Sequence, residues 1–134
     1  MQLKPFLLAA CLLGLGADIG SAQSLSPMKK NGATPSDIKG FQLKAGNPYN
    51  KRMTFVAMVM DPTFTTEVSS ARVQPAEFRL APGAFRTLIL QFKIAPPNKE
   101  RTVAVCVLPK DIEGSILPRV CGTYTGSVFR VSGG

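Results

Sequence analysis

The sequence predicts an all-β fold, a sandwich of about seven antiparallel strands, and three observations carry that expectation. Short runs rich in Val, Ile, Phe and Thr recur along the chain, separated by clusters of Pro, Gly and Asn. From Thr87 to Ile94 the residues alternate: Leu88, Leu90, Phe92 and Ile94 fall on one face, Thr87, Ile89, Gln91 and Lys93 on the other. Beyond the N-terminal segment, no stretch shows a helical apolar stripe with caps at its ends.

That segment, Met1 to Ala22, reads as a secretory signal peptide. Lys4 supplies the positive start, Phe6 to Leu15 the apolar core, and Gly20-Ser21-Ala22 the small residues before a cut ahead of Gln23. The core is too short to span a bilayer, so no transmembrane segment is expected after cleavage. Leu8-Ala9-Ala10-Cys11 resembles a lipoprotein cleavage box, but the apolar stretch runs on through Leu12 to Leu15, which favours the cut before Gln23. The expected organisation is a signal peptide over residues 1–22 and one domain over residues 23–134. Cleavage removes one base and one acid, Lys4 and Asp18, so the net charge of +8 is unchanged. It leaves Cys106 and Cys121, an even pair bound for an oxidising compartment, which reads as a disulfide closing a loop of about fifteen residues.

The elements follow in order. Ser24 to Lys30 is expected as a first edge strand, since Pro27 argues against a central place. Asn31 to Lys39 is polar and turn-rich. Gly40 to Ala45 alternates Phe41 and Leu43 with Gln42 and Lys44, a half-buried strand, and Gly46-Asn47-Pro48 is a turn. Arg52 to Asp61 is apolar on both faces through its middle, so it reads as a central strand covered on two sides. A short buried helix is the alternative, and the β-branched residues and the Asp61-Pro62 stop favour the strand. Thr63 to Ser70 is a wandering, Thr- and Ser-rich edge segment. Val73, Phe78 and Leu80 lead to Ala81-Pro82-Gly83, with Pro and Gly placed as a type II turn requires. The alternating strand Leu88 to Ile94 ends at Ala95-Pro96-Pro97-Asn98. Thr102 to Leu108 is a second central strand, Pro109 to Pro118 a loop, and Arg119 to Tyr124 its antiparallel return. Gly122 and Gly126 interrupt the last stretch before Ser127 to Val131. This spacing matches a sandwich of immunoglobulin type, without the buried Trp of antibody domains.

The order of these pieces resembles the N-terminal domain of the PapD-like periplasmic pilus-assembly chaperones. The matching residues are the Ser26-Pro27 strand, the Asn47-Pro48 turn before Met53 to Met60, and the run Val73-Gln74-Pro75-Ala76-Glu77-Phe78-Arg79-Leu80-Ala81-Pro82-Gly83. Pro97 to Arg101, Val103 to Pro109 and the closing Val128-Phe129-Arg130-Val131 continue the likeness. The resemblance implies an immunoglobulin-like sandwich in the periplasm that binds a protein partner, a pilin-like subunit or an usher, by strand addition. The row that would meet the partner falls on Tyr124, Val128, Phe129, Arg130 and Val131, with Lys29 or Lys30 in a basic role on the first strand. Two departures stand against it: the family's second domain has no counterpart here, and Gly126 breaks the apolar row.

Chemistry narrows the function further. The chain has no histidine, which removes the commonest general base, nucleophile activator and zinc ligand. Two thiols alone leave a tetrahedral metal half-ligated. The acids after cleavage, Asp37, Asp61, Glu67, Glu77, Glu100, Asp111 and Glu113, show no catalytic pairing, and Asp111 with Glu113 lacks the further oxygen ligands of a calcium site. No Gly-x-Ser-x-Gly elbow or phosphate-cradling loop is present. No enzyme, metal or cofactor is therefore expected. Nucleic-acid binding is not expected either, because the aromatics sit at core-like positions instead of among the basic residues. The expected function is a non-enzymatic periplasmic binding module working by strand addition. The alternative is a structural cell-envelope or surface-appendage subunit that self-assembles.

Overall fold

The computed structural model describes residues 25–110 and 118–129. The expected signal peptide with Cys11, the acids Asp111 and Glu113, and the partner-row residues Arg130 and Val131 lie outside the described residues. Nine strands are described: β1 (Leu25–Ser26), β2 (Lys29–Thr34), β3 (Ile38–Gly46), β4 (Met53–Met60), β5 (Ala71–Gln74), β6 (Glu77–Leu80), β7 (Phe85–Lys93), β8 (Glu100–Pro109) and β9 (Val120–Val128). They form two sheets, ordered β1-β3-β7-β5 and β2-β9-β8-β4-β6. The pairings are antiparallel apart from β2 with β9, which is parallel. The all-β, immunoglobulin-like sandwich is the expected fold.

Alternation builds the core. Phe41, Leu43 and Ala45 of β3 face inward beside Leu88, Leu90 and Phe92 of β7, in the register Phe41 to Leu90 and Leu43 to Leu88. Phe55, Ala57 and Val59 of β4 and Val103, Val105 and Val107 of β8 close from the other sheet. Each of these Val, Leu and Phe side chains contributes about 1.5–3 kcal/mol on full burial. Aromatic rings tie the layers, with Phe41 6.2 Å from Phe92 and 6.0 Å from Tyr124, and Phe55 5.9 Å from Phe78. The type II turn appears where Pro82 and Gly83 demand it: Gly83 has φ 75° and the Ala84 N–H donates to the Ala81 carbonyl at 3.0 Å.

Arg52 to Asp61 is expected to be covered on both faces, but Met53, Phe55, Ala57 and Val59 of β4 are buried on one face while Thr54, Val56 and Met58 on the other are half-buried. Only the end at Met60 is closed on both sides. Outside the core, Met60, Ala104 and Cys106 form a second buried cluster with Met58, Phe64 and Cys121 packed on it. Phe64 stands over this face at φ 63°, a left-handed conformation unusual for a bulky residue. Asp61 holds it there: its carboxylate accepts the Thr65 and Thr66 N–H groups, each at 2.8 Å, and the Thr63 and Thr65 hydroxyls. The hydrogen bond from Thr63, then those from Thr66 and Thr65, hold that carboxyl well below the usual carboxylate range.

Two further expectations change. The single edge strand Ser24 to Lys30 becomes two pieces in different sheets, β1 against β3 and β2 against β9. Pro27 lies at the crossing, and Pro75 lies at the matching crossing between β5 and β6. A residue without an N–H cannot continue a ladder, so each is a natural place to leave one sheet for the other. The polar stretch after Lys30, expected as a turn, instead extends β2 to Thr34. The second change is that β9 runs unbroken through Gly122 and Gly126. Both glycines are there for room: a Cβ at Gly122 would collide with the Tyr124 hydroxyl and the Met28 carbonyl, and one at Gly126 with Lys39.

Tyr124 fixes the first crossing. It is fully buried, and its hydroxyl donates to the Pro27 carbonyl at 2.6 Å. Burial pushes its pKa from 10.0 up to about 12. The folded state keeps the proton longer than the unfolded chain does, so this stability is whole below pH 10.0 and lost as pH rises toward about 12. Tyr124→Phe is expected to cost about 1–3 kcal/mol near neutral pH, by stranding the Pro27 carbonyl. It should also flatten the alkaline loss, which urea unfolding at about pH 7 and about pH 11 would measure.

Candidate functional site

An open strand margin is the feature with chemistry to offer. The sheet orders leave β1, β5, β2 and β6 at the edges. β1 has two residues, β5 and β6 four each, and β2 six, so β2 is the longest of these four edge strands. Its hydrogen-bond phase is set at both ends. The Thr123 N–H donates to the Met28 carbonyl and the Phe129 N–H to the Thr34 carbonyl, both at 2.9 Å. In a parallel ladder alternate residues bond the same neighbour. Met28, Lys30, Gly32 and Thr34 therefore turn their backbone to β9, while Lys29, Asn31 and Ala33 turn theirs outward.

The expected site residues divide accordingly. Lys29 and Lys30 lie exposed on β2. Tyr124 is a core residue, and Val128 ends a strand that has β8 on one side and β2 on the other. The free margin expected at Tyr124 to Val131 is thus, through Val128, an interior position: β2 has been laid over it, in register from Lys29 with Thr123 to Thr34 with Val128. Phe129 is exposed beyond the end of β9, as Met28 is before the start of β2. Where β2 and β9 end, an open cleft of about 550 Å³ lies among Asp37, Ile94, Pro97, Lys99 and Val128.

Lys39 is the residue that sequence reasoning missed. It occupies the inward phase of β3, two residues before Phe41, a place where an apolar side chain is the rule. Two glycines, Gly32 and Gly126, are register partners on β2 and β9 and make room for its stem. A Cβ at Gly32 would meet Lys39 Cε at 2.7 Å, and one at Gly126 would meet its Cβ and Cγ at 2.9 Å. The ammonium passes 4.8 Å from the Phe41 ring centroid and donates to the Ala33 carbonyl at 3.3 Å, one of the outward-turned groups. The signal available in the sequence was the lysine itself, out of phase in an otherwise apolar row. The ion pairs among the described residues are Lys93 with Asp37 at 3.8 Å and Lys110 with Glu77 at 3.1 Å, and neither involves β2 or Lys39.

The fold is shared with solved structures of pilus chaperones. The E. coli chaperone DraB matches with a TM-score of 0.61 and 18% identity, over 81% of this chain and 56% of that one. The periplasmic chaperone SfaE matches at 0.60 and 12%, over 78% and 56%. A chain of the complex between the Salmonella enterica SafA pilin and the SafB chaperone matches at 0.63 and 17%, over 88% and 59%. The protein thus spans a little over half the length of these matched chains. No protein-family model matches it, and no curated protein does. Among the described residues, no helix is long and apolar enough to cross a membrane.

Proposed function

We propose that the protein is a non-enzymatic periplasmic binding module that takes an extended protein segment, such as that of a pilin-like subunit, as an added strand on β2. The observation that carries this reading is the six-residue margin whose Lys29, Asn31 and Ala33 backbone groups point away from the sheet. The chaperone fold, the secretory signal read in the sequence and the cystine support it.

The ladder phase chooses the test. Val128 is a poor site for a blocking proline, because its N–H donates to the Lys99 carbonyl within the fold at 2.8 Å. Asn31 turns its N–H outward, so Asn31→Pro removes a docking donor and leaves the β2–β9 ladder whole. The probe is a capped peptide of about ten residues with alternating Val and Thr. Its addition should slow amide exchange at Lys29, Asn31 and Ala33 by about tenfold or more. Asn31→Pro should abolish peptide binding while the melting midpoint stays in place. Unchanged exchange at those amides, or binding indifferent to Asn31→Pro, would count against strand addition. Light scattering of the protein alone tests the alternative, a self-assembling envelope subunit, which would run as an oligomer at micromolar concentration.

A further inference from the structure

We propose that the guest of the β2 margin is acidic. It would be an extended protein segment with side-chain carboxylates two residues apart on one face, received by Lys30 and by the ammonium of Lys39. This rests on the strand-addition reading above and adds the chemistry of the partner. Lys30 and Gly32 share one face of β2, since same-face positions on a strand recur every second residue, about 6.6–6.8 Å apart. Gly32 has no side chain, and Lys39 takes the place one would occupy, reaching the Ala33 carbonyl at the rim. The margin therefore presents cations at two successive same-face positions, one of its own and one borrowed from β3.

The carbonyl contact uses one of the three ammonium donors of Lys39 and leaves the others for a carboxylate. The acids that form ion pairs among the described residues, Asp37 and Glu77, are engaged with Lys93 and Lys110. The net charge of +8 adds a long-range attraction for an acidic guest. A second copy of the chain is the wrong occupant. Pairing β2 with β2 brings the lysines of one margin against those of the other, and like charges across a strand pair repel.

The probe is a pair of capped peptides of about ten residues, one with Glu at two alternate positions of a Val/Thr strand and one with Gln there. Acetyl and amide caps remove the terminal charges, so side-chain carboxylates are the only anions. Fluorescence anisotropy at low salt should give roughly tenfold tighter binding for the Glu peptide. Lys30→Gln and Lys39→Met should each cut that preference to about threefold, and the double variant should erase it, with the Gln peptide bound as before. Gly32→Ala, whose methyl would fall 2.7 Å from Lys39 Cε, should act like Lys39→Met.

Equal binding of the two peptides, still lost in Asn31→Pro, would overturn the acidic guest while sparing strand addition. Glu-peptide binding that ignores Asn31→Pro would mark a diffuse polyanion surface and overturn the proposal. Failure of both peptides to bind would bring down strand addition, and this proposal with it.

Discussion

Phe92→Ala is expected to lower the free energy of unfolding by about 3–5 kcal/mol, the largest effect of any single change considered. Phe92 sits near the middle of the four-stranded sheet, 2% exposed, in β7 between β3 and β5. Its ring stacks on Phe41 at 6.2 Å, and the Arg101 guanidinium lies 6.0 Å from its centroid. Truncation leaves a cavity beneath β7, which is held by β3 on one side and β5 on the other, so the strand cannot readily move in to fill it. Urea unfolding followed by circular dichroism measures the loss through the transition midpoint. A loss below about 1 kcal/mol would mean that the two sheets do not close on this ring.

Severing the cystine comes second. Cys106 and Cys121 are bonded across directly opposed positions of β8 and β9, with a sequence separation of 15. In the chain-entropy model a loop of that size contributes about 3 kcal/mol by restricting the unfolded state. The double variant Cys106→Ala, Cys121→Ala in the protein from Gln23 onward should lose about that much stability. It should keep the strand spectrum, because the β8–β9 ladder needs no covalent help. In the native protein neither Cys106 nor Cys121 should alkylate until the bridge is reduced. An unchanged midpoint, or free thiol in the native protein, would remove the bridge from the account of stability. For a domain of this size, which buries only about two-thirds of its unfolded surface, such a staple is a substantial share of the total.

The elements legible in the sequence were those with one buried face. Leu88 to Ile94 and Gly40 to Ala45 declared themselves by alternation, and the Pro82-Gly83 turn by its backbone demands. What stayed illegible was the margin. β2 is polar because it stands at an edge, and an edge strand carries no apolar row to announce it. Gly122 and Gly126 read as breaks because the side chains that fill their space, Tyr124 and Lys39, come from positions that only folding brings near. The same blindness hid Lys39 as a rim cation. Its neighbours Gly32 and Gly126 are far apart in sequence and meet only in the β2–β9 register.

Local patterning therefore settled the class of fold, the number of layers, the central strands and the cystine, since burial of alternate residues and thiol pairing are written into short stretches of chain. Which strand ends a sheet, which backbone groups turn outward and which charge reaches the rim were decided by the folded molecule alone. Those properties depend on which strands become neighbours across the sheet, and long-range register has no signature in any single segment.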